Sequence, residues 1–270
     1  MEITKDIFEK YVPSAINSDD TLFMKVQAYF NGAEQNLQFR LLGDMTFETL
    51  PELVQQEFTK CVVLSAMKAA IPDLDLVLTP TGFGVVSNNN LAPASKERVQ
   101  NLMTSINQQA LDSYEHIIAL LARIPDWYKA KGTSLIRSLF WNSSLLAEYC
   151  GQADPHFNDL VQLRPSILDA ELLLKRRISP KLYDRLVMED ATNAAGIYVR
   201  ELITLSRVAM ALYIQRGAND PQWHKALNDV ENFLEDNLAE FPEYQDSAAY
   251  RLKHMDTYQN DKHDTTYFFG

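Results

Sequence analysis

A metal site, a nucleophile and a phosphate loop are the three chemistries for which this chain of 270 residues holds the right residue types. The metal donors would come from five histidines: His116, His156, His224, His254 and His263. No two of them stand one helical turn apart with a carboxylate between, the spacing by which a helix presents two imidazoles to zinc. His254, Asp256, Asp261, His263 and Asp264 could gather round a cation, but nothing in that span preorganises them, and it reads as a solvated polar tail. Cys150 has neither a neighbouring histidine nor a helix N-terminus to draw off its proton. No Gly-x-Ser-x-Gly elbow occurs. Gly82-Phe83-Gly84 lacks the Gly-Lys-Ser/Thr or third glycine of a phosphate-binding loop, and reads as a turn. Glu231, Glu235 and Asp236 read as a solvent-facing acidic helix face. The expectation is a protein with no catalytic, cofactor-binding or metal-ligating residue, and so not an enzyme.

Composition sets the class. A chain that is 46% hydrophobic can bury one large core or two small ones. The formal net charge of −11 argues against direct nucleic-acid binding, which lysine and arginine drive. The one basic cluster, Lys175-Arg176-Arg177, suits the last turn of a helix, where cations complement the dipole. Apolar runs such as Cys61–Met67 and Ile117–Ala122 are far shorter than the ~20 residues of a membrane span. The start, Met-Glu-Ile-Thr-Lys-Asp, lacks the pattern of a signal peptide. Cys61 and Cys150 make no framework and are expected as free thiols of a reducing compartment.

The elements that would position any site are mostly helices. Leu22–Leu42 has apolar residues at helical spacing and Gly43 where a C-terminal glycine belongs. Glu52–Ala70 is apolar almost all round and should be central, with Pro72 ending it. Leu76–Leu78 and Phe83–Val86 are short β-type runs about Thr79-Pro80-Thr81-Gly82, a predicted hairpin over about 74–87. Ser95-x-x-Arg98 caps a long helix to about Arg123. Further on, Asp154-Pro155 starts a short helix through Leu163, which Pro165 breaks or restarts, Ser166–Arg177 is amphipathic and Ser179-Pro180 begins a short turn. Ile197–Gln215 is a second nearly all-round apolar helix, and Asp220-Pro221 starts the last one.

The two halves echo each other. Phe8-x-x-x-Val12 answers Phe157-x-x-x-Val161, Phe47-x-x-Leu50 answers Tyr183-x-x-Leu186, and Ala66-Met67 answers Ala209-Met210. The expected fold is mainly α: two related helical-bundle modules, one inserted β-hairpin and an extended C-terminal tail. The boundaries are 1–130 for the first module, 131–153 for a connector, 154–245 for the second module and 246–270 for the arm. Tyr267-Phe268-Phe269 ends a polar stretch abruptly, as an arm that docks on a neighbouring chain would, or one that packs back on its own domain.

Two stretches carry a resemblance. Leu78-Thr-Pro-Thr-Gly-Phe-Gly-Val-Val-Ser-Asn-Asn-Asn-Leu-Ala-Pro-Ala-Ser-Lys-Glu-Arg-Val-Gln-Asn-Leu102 resembles the signature of an uncharacterised domain family of Bacteroidetes tailed phages and prophages, typically found among head and portal genes. Asn260-Asp-Lys-His-Asp…Phe268-Phe-Gly270 is similar to the tail of the same proteins. The resemblance implies a head–tail connector, or adaptor: a virion neck subunit, assembled in the host cytoplasm, forming a homo-oligomeric ring beneath the portal protein. Such rings are commonly twelve-fold, meet tail or neck proteins below, and pass DNA through the lumen without binding it specifically. No membrane and no cofactor are involved. The contacts are expected at the hairpin tip Thr79, Pro80, Thr81, Gly82 and Phe83, at the loop Asn88, Asn89 and Asn90, and at Tyr267, Phe268 and Phe269. The alternative is a non-viral cytoplasmic helical adaptor that binds one protein partner.

Overall fold

A computed structural model describes residues 1–15, 20–74, 76–79, 82–85 and 95–255, the segments 76–79 and 82–85 by backbone alone. The first half runs α1 Lys5–Tyr11, α2 Asp20–Leu37, α3 Glu52–Leu74, β1 Leu76–Thr79, β2 Gly82–Val85 and α4 Lys96–Leu121. Short turns α5 Pro125–Trp127 and α6 Thr133–Leu135 follow. The second half runs α7 Ser144–Cys150, α8 Phe157–Ile178, α9 Pro180–Ala191, α10 Ile197–Arg216, α11 Pro221–Asp236, α12 Pro242–Gln245 and α13 Ala248–Lys253. The protein is mainly α.

Side chains fix where these helices begin. Thr4, Ser95, Asp220 and Ser247 each accept a hydrogen bond from a first-turn N–H, satisfying donors that the helix itself leaves free. The end of α2 is less regular: its last turn widens into a π turn over Gln38–Leu42, and Gly43 stops it at φ +62°. Gln38 holds that exit by donating from Nε2 to the carbonyls of Gly43, at 3.1 Å, and Met45, at 2.6 Å.

α3 packs between α2 and α4 and is buried from Phe58 to Ile71 on most of its circumference. It runs past Pro72 to Leu74. A proline forfeits one backbone bond within the helix, and so close to the end little remains to be lost. In the second half α10 is the hub, touching α8 and α11 most and α7 and α9 besides. α8 is a single helix through Pro165, against the expected break. The carbonyl that Pro165 leaves without its helical partner belongs to Val161, and both residues lie on the exposed side of the helix, where losing that bond costs least. α9 is a helix of 12 residues where only a short turn was expected. Ser179, at φ +129°, makes the corner, and its hydroxyl accepts from Leu182 N–H at 3.5 Å.

Of the pairs that echo each other in sequence, Ala66-Met67 on α3 and Ala209-Met210 on α10 are all buried. The Phe-x-x-x-Val pair does not match in this way: Phe8 and Val12 are buried, whereas Phe157 is half-buried and Val161 is 55% exposed. β1 and β2 pair antiparallel, Leu76 opposite Val85 and Thr79 opposite Gly82, and no third strand joins them among the described residues. The tip residues Pro80 and Thr81 and the loop 86–94 lie outside the described residues.

The C-terminal arm expected over 246–270 is not extended where it is described. Residues 248–253 form α13, with Tyr250 stacked edge-on against Tyr244 at 5.5 Å and Lys253 paired with Glu231 and Glu235. A capping serine, an aromatic contact and two acidic partners are enough to fold six residues onto the body.

Candidate binding cleft

Three helices give one open cleft its walls. α2 contributes Ala28, Tyr29, Gly32, Ala33, Asn36 and Leu37, with Arg40 just beyond. α3 forms the floor with Cys61, Ser65, Lys68, Ala69 and Pro72, and α4 the far wall with Asn107, Ala110, Leu111 and Tyr114. On each helix these positions recur every three or four residues, so each set is a single face. Because most of them are small, the helices meet on α3 but leave a trough of about 600 Å³ above it. That size suits a small ligand or a short peptide segment.

The cleft's polar groups are few and cationic. Among the described residues, Arg40 and Lys68 are its only charged lining residues. The Arg40 guanidinium lies over the Tyr114 ring at 4.8 Å, and Lys68 Nζ donates to Asn107 Oδ1 at 2.5 Å. Neither makes an ion pair with a carboxylate among the described residues. Tyr29 donates its hydroxyl to Asp73 at one end. Burial pushes the Cys61 thiol up to about 12, and its Sγ lies 3.4 Å from the Ala110 carbonyl. A thiol so held stays protonated near neutrality and is no nucleophile. The cleft can bind an apolar group carrying negative charge, and it holds no acid–base pair poised for reaction.

A second set of polar residues is buried and holds backbone. Residues 136–143, expected to belong to a plain connector, run through the interior as a strap with Ile136, Ser138, Leu139 and Phe140 buried. Leu139 N–H donates to the Tyr183 hydroxyl at 3.2 Å, and Arg207 Nε donates to the Leu139 carbonyl at 3.1 Å. Glu115 accepts from both the N–H and the hydroxyl of Ser143. Burial raises the Glu115 carboxyl above its usual range, against the pull of those two bonds. Asp190 accepts from Trp141 Nε1 at 2.8 Å and pairs with Arg207. None of these groups lines the cleft, and each is used up in holding the strap.

Other residues singled out from sequence fall as follows. Trp127 is fully buried and donates from Nε1 to the Leu41 carbonyl at 2.5 Å. Lys175, Arg176 and Arg177 occupy the last turn of α8, with Arg177 paired to Glu231 at 3.1 Å. The acidic face on α11 is not simply solvated: Glu231 is buried, and Glu235 lies 3.1 Å from His254 and 2.9 Å from the Tyr244 hydroxyl. Cys61 and Cys150 are free thiols, and burial at the end of α7 raises Cys150 to about 11. No group of three metal-ligating side chains forms among the described residues, and no helix there is long and apolar enough to cross a membrane. Of the expected contact residues, Thr79, Gly82 and Phe83 are placed by backbone only. Pro80, Thr81, Asn88, Asn89, Asn90, Tyr267, Phe268 and Phe269 lie outside the described residues.

The cleft was missed from sequence because about half of its residues are Ala, Gly, Ser and Asn, spread over three separate helices. The available signal was Gly32, a glycine in mid-helix with no turn to make.

Fold and cleft together define a helical protein with an open, cation-bearing trough. Over residues 20–134 and 217–253, more than half its length, the chain matches the Family of unknown function (DUF6712), and it belongs to that family. All three walls of the cleft fall within the first matched segment. No curated protein and no solved structure matches the chain.

Proposed function

We propose that this chain is a structural subunit of a phage neck, a head–tail connector or adaptor that acts by protein–protein contacts rather than by catalysis. One exposed stripe carries the reading. Val161, Pro165, Leu168 and Leu172 lie along one side of α8 at steps of four, three and four residues, and all face solvent. A stripe of this spacing is what a helix buries against another helix. A second copy of the chain is the occupant that a ring supplies, and Ile197 on α10, 80% exposed, is a further apolar side chain left open to solvent. The resemblance of residues 78–102 and 260–270 to phage neck proteins points the same way. In this reading the two halves are related modules, the hairpin is an insertion whose tip reaches a partner, and the acidic charge lets DNA pass without sticking.

The test is native mass, of the protein alone and mixed with the portal protein encoded beside it. A many-fold ring on the portal supports the connector. A monomer that ignores the portal overturns it. In that case the cleft favours the other reading, an adaptor that takes one partner's segment between α2 and α4.

A further inference from the structure

We propose that the cleft between α2 and α4 receives the segment Asp264–Phe269 of a second copy of this chain, an inference that rests on the subunit reading and names what one subunit offers the next. Gly32 is the first argument. It sits inside α2 without a positive φ, and a Cβ placed on it would meet nothing within 4 Å. A glycine there costs about 1 kcal/mol against alanine. Nothing among the described residues requires it, whereas an occupant pressed against the helix backbone would.

Shape is the second argument. From Ala28 on α2 to Arg40 just beyond it this wall runs through twelve residue steps, ~18 Å at helical rise. Six residues of extended chain span ~20 Å, so Asp264–Phe269 matches the trough in length. In that conformation Tyr267 and Phe269 point to one side, into the space left by the small residues.

Charge is the third. The chain carries −11 overall, yet among the described residues the charged groups lining this cleft are Arg40 and Lys68. Asp261 and Asp264 lie just before the aromatic run, placed to meet these cations as the rings enter. Reach is the fourth. The described chain ends at Met255, after α13 has docked on the second half, whereas the cleft belongs wholly to the first. Eleven residues lie between Met255 and Tyr267, ~40 Å when extended, enough to cross to a neighbour.

Disulfide trapping in the full-length protein tests this. One copy carries Ala69→Cys on the cleft floor, and a second, mass-tagged copy carries Phe268→Cys. The copies are mixed under mild oxidation, and a mixture bearing only the native Cys61 and Cys150 sets the background. A link between tagged and untagged copies is expected. Gly32→Leu in the cleft copy should lower its yield at least ten-fold with the helical signal and melting temperature retained. Lys68→Glu should lower it too, and Asp264→Lys in the tail copy should restore it. No link above background, or a link only within a chain carrying both cysteines, overturns the proposal. A link between copies without a ring on the portal would sink the connector reading alone. A ring that forms without the link would sink this inference alone.

Discussion

The residues with most at stake are those that hold the strap at 136–143, because each satisfies a backbone group that water cannot reach. Tyr183 is fully buried and accepts from Leu139 N–H, so Tyr183→Phe orphans a buried donor and should cost ~1–3 kcal/mol. Arg207→Met leaves the Asp190 carboxylate with Trp141 as its remaining hydrogen-bond donor at the strap, and frees the Leu139 carbonyl. Breaking a fully buried pair from one side costs ~3–5 kcal/mol; this pair is part-buried, but the variant also frees the buried Leu139 carbonyl, so it should be the worse of the two in urea titrations. Ser206 should behave in the opposite way. Its hydroxyl is fully buried on α10 and makes no hydrogen bond among the described residues. Ser206→Ala removes that penalty and should raise the melting temperature by ~2–4 °C for each kcal/mol regained. A lower melting temperature would mean that the hydroxyl has a partner after all.

At the scale of elements, α13 is the one whose docking depends on titratable groups. Glu235 loses solvation on burial, which raises its carboxyl. The hydrogen bonds from His254, Tyr244 and Lys253 outweigh that and leave it below its usual range. A carboxylate depressed in the folded state stabilises fully above its unfolded value, and that stabilisation is lost as pH falls through the folded one. Below about pH 4.5, α13 should therefore loosen ahead of α11. Hydrogen exchange, corrected for the intrinsic rate, should show Tyr250–His254 losing protection first; uniform protection down to the acid transition would contradict the docking. This element was illegible in sequence because six residues give little periodicity, and their fold rests on partners on α11 and α12. By contrast α3 and α10 were legible, since a helix apolar on most of its circumference has only the core to go to. Pro165 misled because a proline's cost depends on where the freed carbonyl points, which the sequence does not say. The cleft shows a third kind of illegibility. Apart from Gly32 no residue of it is unusual alone, and the trough exists only where three faces of mostly small residues meet.

For the whole molecule, the question is whether the two halves are separate folding units. The sequence suggests modules joined by a connector, but the joint is built like a core. Phe140 and Leu139 are fully buried, and Tyr114 of α4 packs edge-on against Phe157 of α8 at 5.8 Å. His156 Nδ1 lies 3.3 Å from Asp112. The buried apolar residues of both halves form one continuous cluster. Modules that share so much interior lose it together, because opening either one exposes the strap and strands Glu115, Tyr183 and Arg207 without their partners. Calorimetry should therefore give one transition whose calorimetric and van't Hoff enthalpies agree. The sharper test uses one destabilising change in each half. Phe58→Ala, at a fully buried site on α3, should cost ~3–5 kcal/mol, and Arg207→Met on α10 about as much. If the strap couples the halves, both variants move the same single peak to lower temperature. If the halves fold independently, each variant splits off its own peak and leaves the other in place. A single peak would also fit the mechanical task proposed here, since a neck subunit that parted at its middle under load would open the joint it exists to close.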